Sequence, residues 1–516
     1  MMEAAPTERD KTPEASNTPK KLLFWACFIA LVATAFGFIL RAFLIDTWGE
    51  QFGLTKTQQG EIFGAGLWPF AISIILFSLV IDRIGYGRAM VFAFVAHIVS
   101  AVITINARGY TSLYWGMFIV ALANGTVEAV INPVVATLYP KEKTKWLNIL
   151  HAGWPGGLVL GGLLALAMGP ETDWRWKVGL IFLPTAAYGL IMLFCRFPIH
   201  ERVAAGVSYR DMLKEFGVLG ALIVNFLMFA EVGRVFNLNA WLVGAIVVLF
   251  TLAFGWVVRF SPGRPMFILL ILIMIPLATT ELGTDSWITP LMKPQMVKLG
   301  LQAGWVLVYT SFLMMVLRFF AGPIVHRLSP LGLLATCALV AAVGLVALSK
   351  STGIVILVAA TIYAFGKTFF WPTMLGVVSE QFPKGGALTL NATGGVGMLG
   401  VGVVGAVLLG FIQDTSIEKN LKVERPALHE KVVAEKQWIF GALNAVDPEK
   451  VKALPTEEQD AVDAVETKAK KKALAIVAIF PGIMLLCYLA LIAYFRAKGG
   501  YCPQEIVQSA PADQDG

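Results

Sequence analysis

Long apolar segments separated by short polar loops recur along the whole chain. Fourteen of them are long enough to cross the hydrocarbon core of a bilayer, which takes about 20 apolar residues in a helix. These spans are 22–45, 61–81, 89–105, 113–138, 147–169, 177–197, 218–236, 240–259, 266–289, 301–325, 331–349, 353–378, 386–412 and 472–495. A transmembrane barrel would instead show segments of about ten alternating residues. The pattern therefore predicts an all-α polytopic membrane protein.

The composition agrees with this prediction. Of the 516 residues, 57% are hydrophobic and only 15% are charged, and the mean hydropathy is +0.71. A soluble protein of this composition would expose too much apolar surface. The net charge of +7 reflects Lys and Arg in loops, and no nucleic-acid-binding module accompanies it. The five cysteines show neither metal-ligand spacing nor a disulfide framework. Taken together, the composition leads us to expect no metal, cofactor or nucleic acid.

The basic loops fall on one side of the membrane. They are "DRIGYGR" (82–88), "PKEKTK" (140–145) and the segment after Arg196, which follow the second, fourth and sixth spans. Lys and Arg collect in cytoplasmic loops, so this alternation predicts a cytoplasmic N-terminus. Because the number of spans is even, the tails 1–20 and 496–516 should both be cytoplasmic. We expect a multi-pass protein of the cell (inner) membrane.

A short motif occurs twice in the chain. "PKEKTKWLN" begins at Pro140 and "PKGGALTLN" begins at Pro383, 243 residues later. A second pair of landmarks, Arg83 and Arg327, is 244 residues apart. Because the offsets agree and each copy holds an even number of spans, the chain contains a six-helix unit duplicated in the same orientation. Two such halves around an axis along the membrane normal are typical of transporters.

The duplication also divides the chain. We expect six-helix bundles over 21–197 and 266–495, joined by a cytoplasmic linker, 198–265, into which a transmembrane hairpin is inserted at 218–259. The polar stretch 414–471 separates the last two spans and should lie outside the membrane. The helical spacing of this stretch predicts one or two short amphipathic helices over the outer mouth. A solvated spacer and a functional cap are both open interpretations of it.

The loop after the second span resembles the major facilitator motif G-x-x-x-D-R-x-G-R-R. The matching residues are Asp82, Arg83, Gly85 and Arg88. Ser78 replaces the leading glycine, and in the second copy His326 replaces the aspartate while Arg327 is kept. The resemblance implies the major facilitator fold, with two six-helix bundles plus the inserted hairpin, acting as a monomer.

This loop is the predicted cytoplasmic gate. Asp82 can meet a helix N-terminus or an arginine of the neighbouring half, and the glycines permit a tight turn. An ion pair that forms in only one orientation would be a bistable latch, and the alternative is a static anchor. Arg318, which precedes the second copy in "LRFFAGP", is assigned to the same gate as Arg327.

Polar residues inside the fourth span form one stripe. Asn124, Glu128 and Asn132 are spaced four residues apart and so lie on one helical face. We expect this face to line a central cavity, because ionisable groups at membrane depth are costly and usually functional. Glu128 can accept hydrogen bonds from sugar hydroxyls, bind a cation or carry a proton. The alternative is a structural cluster of hydrogen bonds between helices.

The fifth span adds His151 and Trp154, in "LNILHAGWPGG". A Trp ring can stack on the apolar face of a sugar while His serves the hydroxyls, although packing between helices is the alternative. The two spans together are similar to the fucose–proton symporter-like branch, which has an acidic residue and N-P in the fourth span and L-N-x-x-Q in the fifth. The resemblance implies that Glu128 and His151 lie in the substrate cavity and that Glu128 couples transport to protons.

The first span departs from that branch. The branch has a protonatable aspartate there, whereas "FGFILRAFLID" offers Arg41. An arginine inside a span does not face lipid. Either Arg41 pairs with Glu128, or it clamps a carboxylate or phosphate of the substrate. The departure weakens the case for proton symport and is compatible with an anionic substrate.

The second half contributes four more candidates. Glu281 and Asp285 share one helical face in the seventh span and could bind a cation or substrate, or lie at a wet rim. Lys367 and Trp371 are also four residues apart, in "FGKTFFWPT". We assign this Lys to the cavity, as a counter-ion or a substrate contact.

Three functional classes follow from these features. The preferred hypothesis is a secondary active transporter of a small polar solute, first a sugar or sugar derivative and second an organic anion, with a proton or cation as possible coupling ion. A drug or lipid exporter of the same superfamily is the alternative, which the many polar cavity positions argue against. An enzyme or sensor is not expected, because no nucleotide loop, metal cluster or nucleophile–base pair is evident in the sequence.

Overall fold

The structure, a computed structural model, describes residues 20–169, 171–284, 296, 300, 305–438 and 441–506. Almost every membrane segment is helical because a bilayer offers no water to hydrogen-bond an open backbone. Within the described residues, twelve helices are long and apolar enough to cross a membrane, or thirteen if one bent pair is counted as a span. The remaining predicted span, the sixth, corresponds to two short helices described next.

The first half consists of nine helical segments that form six spans. They are α1 (Lys20–Phe52), α2 (Lys56–Ala65), α3 (Trp68–Ile84), α4 (Tyr86–Ile105), α5 (Tyr110–Leu138), α6 (Lys143–His151), α7 (Gly153–Ala167), α8 (Trp174–Gly179) and α9 (Phe182–Met192). The linker then forms α10 (Glu201–Ala204) and the hairpin α11 (Tyr209–Val235) and α12 (Ala240–Val257).

The second half contains the same architecture with longer final helices. Its segments are α13 (Pro265–Ala278), a π-helical turn (Thr279–Gly283), α14 (Trp305–Phe319), α15 (Ala321–Leu328), α16 (Pro330–Lys350), α17 (Val355–Lys367), α18 (Phe370–Gln381), a 3₁₀ turn (Pro383–Gly385), α19 (Gly386–Gly400), a second π-helical turn (Val401–Gly405), α20 (Ala406–Glu424), α23 (Thr456–Val477) and α24 (Ile479–Ala497). Helices α14 and α15 are the bent pair, with an angle of 64° between them.

Prolines explain why several spans are broken. The breaks between α2 and α3, α6 and α7, α8 and α9, and α17 and α18 precede Pro69, Pro155, Pro184 and Pro372. The helix before each break ends either four or five residues before the proline. Proline lacks the N–H that would bond the carbonyl four residues before it, and its ring clashes with the same carbonyl. At each break the carbonyl four residues before the proline therefore lacks its usual intrahelical donor and needs another partner.

The inserted hairpin packs on the second half. Helix α11 lies against α19, and α12 lies against α11. Gly217 has a φ of 69°, which favours glycine, and lets the backbone meet the following loop, where Val218 N donates to Ser261 O at 2.8 Å. The outer face of α12 carries exposed apolar side chains such as Leu249 and Trp256. These side chains suit contact with lipid.

The segment between α20 and α23 differs from the prediction of one or two short helices. It contains α21 (Pro426–Val432), α22 (Pro448–Lys452) and a two-stranded antiparallel sheet of β1 (Val433–Trp438) and β2 (Gly441–Val446), with Val433 opposite Val446. Helices α20 and α23 also continue into it from the membrane spans. The sheet escaped prediction because its strands are rich in Ala, Glu, Lys and Asn, which do not favour strands. A small apolar core formed by Leu421, Leu428, Val432, Val462 and Val465 holds the segment together.

Three helix pairs make the most extensive contacts between the two halves. These are α3 with α19, α6 with α18, and α7 with α14. Small residues let the backbones approach closely: a Cβ on Gly376 would lie 2.3 Å from the Thr144 hydroxyl, and one on Gly395 would lie 2.5 Å from Ile75. Several of the predicted site residues lie at this interface.

Candidate functional site

One arginine occupies the centre of the interface. Arg318, at the end of α14, is 1% exposed and donates hydrogen bonds to three oxygens. Its Nε lies 2.7 Å from the Thr368 carbonyl and its Nη1 lies 2.8 Å from the His151 carbonyl. These two carbonyls lack an intrahelical donor because a proline stands four residues after each. Arg318 thus binds the broken helices of both halves.

The third bond of Arg318 is an ion pair. Its Nη2 lies 2.9 Å from Glu281 Oε1, and both side chains are buried. The other carboxylate oxygen of Glu281 accepts a bond of 3.1 Å from the backbone N–H of Trp371, and Lys367 Nζ lies 3.4 Å from the Glu281 carbonyl. We call Glu281, Arg318, Lys367 and Trp371 the central cluster. Asp285, predicted beside Glu281, lies outside the described residues.

The sequence prediction for Arg318 was different. It assigned Arg318 to the cytoplasmic gate because the residue stands close to the second loop motif in the chain. The bend between α14 and α15 instead leaves Arg318 on the membrane side of the break, with its guanidinium on the central cluster. The structure brings Glu281, Lys367 and the backbone N–H of Trp371 together.

The first half contributes a chain of polar side chains beside this cluster. Asn132 Nδ2 donates to Glu128 Oε2 at 2.7 Å, and His151 Nε2 donates to Asn132 Oδ1 at 2.9 Å. The backbone carbonyl of His151 is the one bound by Arg318. This chain of Glu128, Asn132 and His151 therefore touches the central cluster directly. All three side chains are buried.

Asn124, the remaining member of the predicted stripe, has a different partner. Its Oδ1 accepts a bond of 2.8 Å from His97 Nε2, and His97 Nδ1 in turn accepts from the Tyr188 hydroxyl at 2.9 Å. These three residues belong to α4, α5 and α9 of the first half. Asn124 thus matches the structural alternative, a cluster that ties helices together.

Arg41 and Trp154 meet through aromatic rings. The guanidinium carbon of Arg41 lies 4.3 Å from the ring centre of Phe63 and 5.2 Å from that of Phe38. The Phe38 ring lies 5.6 Å from that of Trp154. Arg41 makes no ion pair with Glu128, which was one of its two predicted roles. Its Nε is buried and has no hydrogen-bond partner among the described residues.

The predicted gate loop is tied to the linker rather than to the second half. Asp82 forms an ion pair with Arg202, which follows the sixth span. Arg83 lies over the ring of Tyr209, 5.0 Å from its centre, and Gly85 has a φ of 84°, which requires a flexible residue. Arg88 and Arg327 are exposed.

Other residues join the halves at the same face. The Thr144 backbone N–H donates to Glu380 Oε1 at 3.0 Å and its hydroxyl does so at 2.5 Å. Asn148 Nδ2 lies 3.1 Å from the Thr373 hydroxyl, and the imidazole Nε2 of His326 lies 3.2 Å from Glu142 Oε1. Sequence reasoning missed Glu380. The available signal was an acidic residue two positions beyond the predicted end of a membrane span.

Comparison with known proteins agrees with this architecture. A family model described as Major Facilitator Superfamily matches residues 26–282, which cover the first half, the linker and the start of the second half. The chain belongs to the major facilitator superfamily. Within the described residues of this superfamily member, no group of three or more His, Cys, Asp or Glu is arranged to hold a metal ion.

Individual relatives in the superfamily are distant. The cis,cis-muconate transport protein of Acinetobacter baylyi is 26% identical over 183 residues, which cover 34% of this chain and 43% of that protein. The alignment thus spans less than half of that relative.

Two solved major facilitator structures share the fold over nearly the whole chain. The human organic anion transporter MFSD10 has a TM-score of 0.57 at 14% identity, covering 90% of this chain and 99% of its own. The fucose:proton symporter FucP of E. coli, in the outward conformation, has a TM-score of 0.54 at 15% identity, with the same coverage. At these identities the likeness shows the fold alone.

Proposed function

We propose that this major facilitator is a secondary active transporter that moves a small polar solute, a sugar or sugar derivative, by alternating access. The observation that carries the proposal is the central cluster. Arg318 holds the His151 carbonyl of one half and the Glu281 carboxylate of the other, at the interface that must rearrange when the halves rock. Buried ionisable groups inside a membrane mark solute and ion pathways.

The neighbouring side chains suit a hydroxylated solute. Glu128, Asn132 and His151 offer acceptors and donors, and Trp154 offers a ring face. The printed names of the relatives support a small polar solute: muconate is a dicarboxylate and fucose is a sugar.

We assign proton coupling to Glu128. Glu281 is held by the guanidinium of Arg318 and the backbone N–H of Trp371, whereas the hydrogen-bond partner of Glu128 is the neutral amide of Asn132. A carboxyl group next to an amide can exist in either protonation state without leaving a cation unpaired. Glu128 is therefore better placed than Glu281 to gain and lose a proton during the cycle.

Contacts that close one face of the protein support alternating access. Contacts such as that between Thr144 and Glu380 join the halves at the predicted cytoplasmic face. In our proposal this face is closed, and these bonds break when the solute is released to the cytoplasm. We further propose that the protein is a multi-pass monomer of the cell membrane with both termini inside.

Transport assays in proteoliposomes test the proposal. The full chain, reconstituted with an imposed pH gradient, should accumulate at least one member of a panel of labelled sugars and sugar acids. The Glu128→Gln variant should still exchange solute across the membrane but lose the response to the gradient. Glu231→Gln is the matched control, because Glu231 is a buried acid paired with Arg234 in the hairpin. Equal proton dependence in wild type and Glu128→Gln would remove Glu128 as carrier, and no uptake of any solute would overturn the transporter proposal.

A further inference from the structure

Arg41 is a buried cation without a counter-charge. Its side chain belongs to a helix that is a membrane-span candidate, and the residue is only 3% exposed. A guanidinium carries five N–H donors. The contacts that the structure gives Arg41 are with the rings of Phe38 and Phe63, and no hydrogen bond or ion pair joins it to a described residue.

The chain makes room for this arginine. A Cβ added to Gly66 would lie 1.3 Å from Arg41 Nη1, so any larger residue at position 66 would displace the guanidinium. The rings of Phe38 and Phe63 contact the guanidinium without using its N–H groups as hydrogen-bond donors. The edges of the group, which carry the N–H donors, stay available in the geometry that binds an oxyanion with two parallel bonds.

Three acids that could serve as a counter-charge already have other partners. Glu128 accepts from Asn132, Glu281 is paired with Arg318, and Glu61 accepts a bond of 2.7 Å from the Tyr110 hydroxyl. Leaving a charged group buried with no partner costs several kcal/mol in effective terms. The missing partner is therefore expected to come from outside the chain.

We propose that the transported solute carries an oxyanion, a carboxylate or a phosphate, that Arg41 binds. This inference rests on the proposed function and narrows it from polar solutes in general to acidic ones. The Arg41 guanidinium takes the oxyanion through its free N–H edge, and the partly exposed rings of Phe38, Phe63 and Trp154 contact the carbon skeleton beside it. Arg41 is then the residue that selects acids over neutral analogues of the same shape.

Binding to the full chain in detergent tests this without requiring transport. The probes are matched pairs, gluconate with glucose and galactonate with galactose, together with glucose 6-phosphate, muconate and inorganic phosphate. The readout is the rise in the thermal unfolding midpoint as each probe is titrated. We expect at least one acid to stabilise the wild type and its neutral partner to have no effect. If only the phosphate-bearing probes stabilise the protein, the oxyanion is a phosphate. If the sugar acids or muconate stabilise it, the oxyanion is a carboxylate.

Three variants define the role of Arg41. Arg41→Gln should weaken binding of the acid at least tenfold, and Arg41→Lys should bind it with intermediate affinity because the charge is kept without the planar fork. Gly66→Ala should also weaken it, since the added Cβ displaces the guanidinium while the charge remains. Arg108→Gln, which alters an exposed arginine of the same half, is the control and should bind as wild type.

Several results would overturn the proposal. They are equal binding of acid and neutral partner, unchanged acid affinity in Arg41→Gln, or stabilisation of the wild type by none of the acids. An ion pair between Arg41 and Asp285 would also overturn it. Such a pair would be revealed if Arg41→Gln and Asp285→Asn lost the same stability and the double variant lost no more. Uptake of a neutral sugar that is unaffected by Arg41→Gln would refute this inference while leaving the transporter proposal intact.

Discussion

Arg318 and Glu281 form an ion pair at the point where two broken helices meet. The remaining N–H groups of Arg318 fill the places of donors that the helices lost to proline, at the carbonyls of His151 and Thr368. A single side chain therefore satisfies a charge and two backbone groups inside the membrane. This arrangement makes the consequences of changing Arg318 larger than those of changing an ordinary ion pair.

Arg318→Gln should lower the free energy of unfolding by about 3–5 kcal/mol, the usual cost of leaving one partner of a buried pair unmatched. Urea unfolding in detergent, followed by tryptophan fluorescence, measures it. The double variant with Glu281→Gln should recover part of the loss because no charge is then left unpaired. Arg264→Gln is the control, since Arg264 is more than half exposed and its pair with Glu215 should contribute under about 1 kcal/mol. Equal losses of unfolding free energy in Arg318→Gln and Arg264→Gln would contradict this role of Arg318.

His151 should tolerate an amide but not an apolar residue. His151→Gln can still donate to Asn132, whereas His151→Leu leaves the Asn132 oxygen buried without a donor, at a cost of about 1–3 kcal/mol. We therefore expect His151→Gln to retain most of the transport rate and His151→Leu to lose at least tenfold. Initial uptake rates in proteoliposomes measure both. The same loss in the two variants would show that the imidazole itself is required.

The contact between Thr144 and Glu380 should control access at the predicted cytoplasmic face. Glu380→Ala removes the acceptor of the Thr144 backbone N–H, and the peptide covering 141–150 should then take up deuterium faster. Glu380→Ala also frees the C-terminal tail, where the Tyr501 hydroxyl donates to Glu380 Oε2 at 2.8 Å. Hydrogen-exchange mass spectrometry reports on both segments. Lys141→Gln, which alters an exposed residue of the same loop, is the control and should change the exchange much less.

The gate region should be sensitive to acid through His200. Burial lowers the pKa of His200 from its ordinary 6.5 to about 4. Between these two values the unfolded state binds more protons than the folded state, so stability is fully present above pH 6.5 and is lost as the pH falls toward 4. The unfolding midpoint of the wild type should therefore drop more steeply over this range than that of His200→Gln. Parallel curves for the two proteins would contradict this role of His200.

Much of the fold could be predicted from the sequence because bilayer thickness and loop charge act over short stretches of chain. The prediction of fourteen spans depended on local hydrophobicity, and twelve or thirteen helices in the described residues are long and apolar enough to be such spans. The predicted duplication and hairpin depended on one repeated motif. Local spacing also singled out Glu281, Lys367 and Trp371 as candidates, because it predicts which residues share one helical face.

Long-range partners could not be predicted in the same way. Arg318 was assigned to the gate because chain distance was the only guide, whereas a bend one residue later decides where it lies. Nothing in the linker sequence distinguished Arg202 as the partner of Asp82, since other basic residues are equally near. The sheet between α20 and α23 depends on the pairing of its two strands, which outweighs the weak strand preference of their residues.

The two π-helical turns link the central cluster to the folded segment between α20 and α23. The first turn carries Glu281, and the second leads directly into α20, which continues into that segment. They touch where a Cβ on Gly405 would lie 2.3 Å from the Thr279 hydroxyl. The helical run Pro383–Glu424 has 42 residues, or about 63 Å at 1.5 Å per residue, against about 30 Å for the bilayer core. A sideways displacement of this segment would therefore be transmitted along α20 to the turn that carries Glu281, next to its ion pair with Arg318.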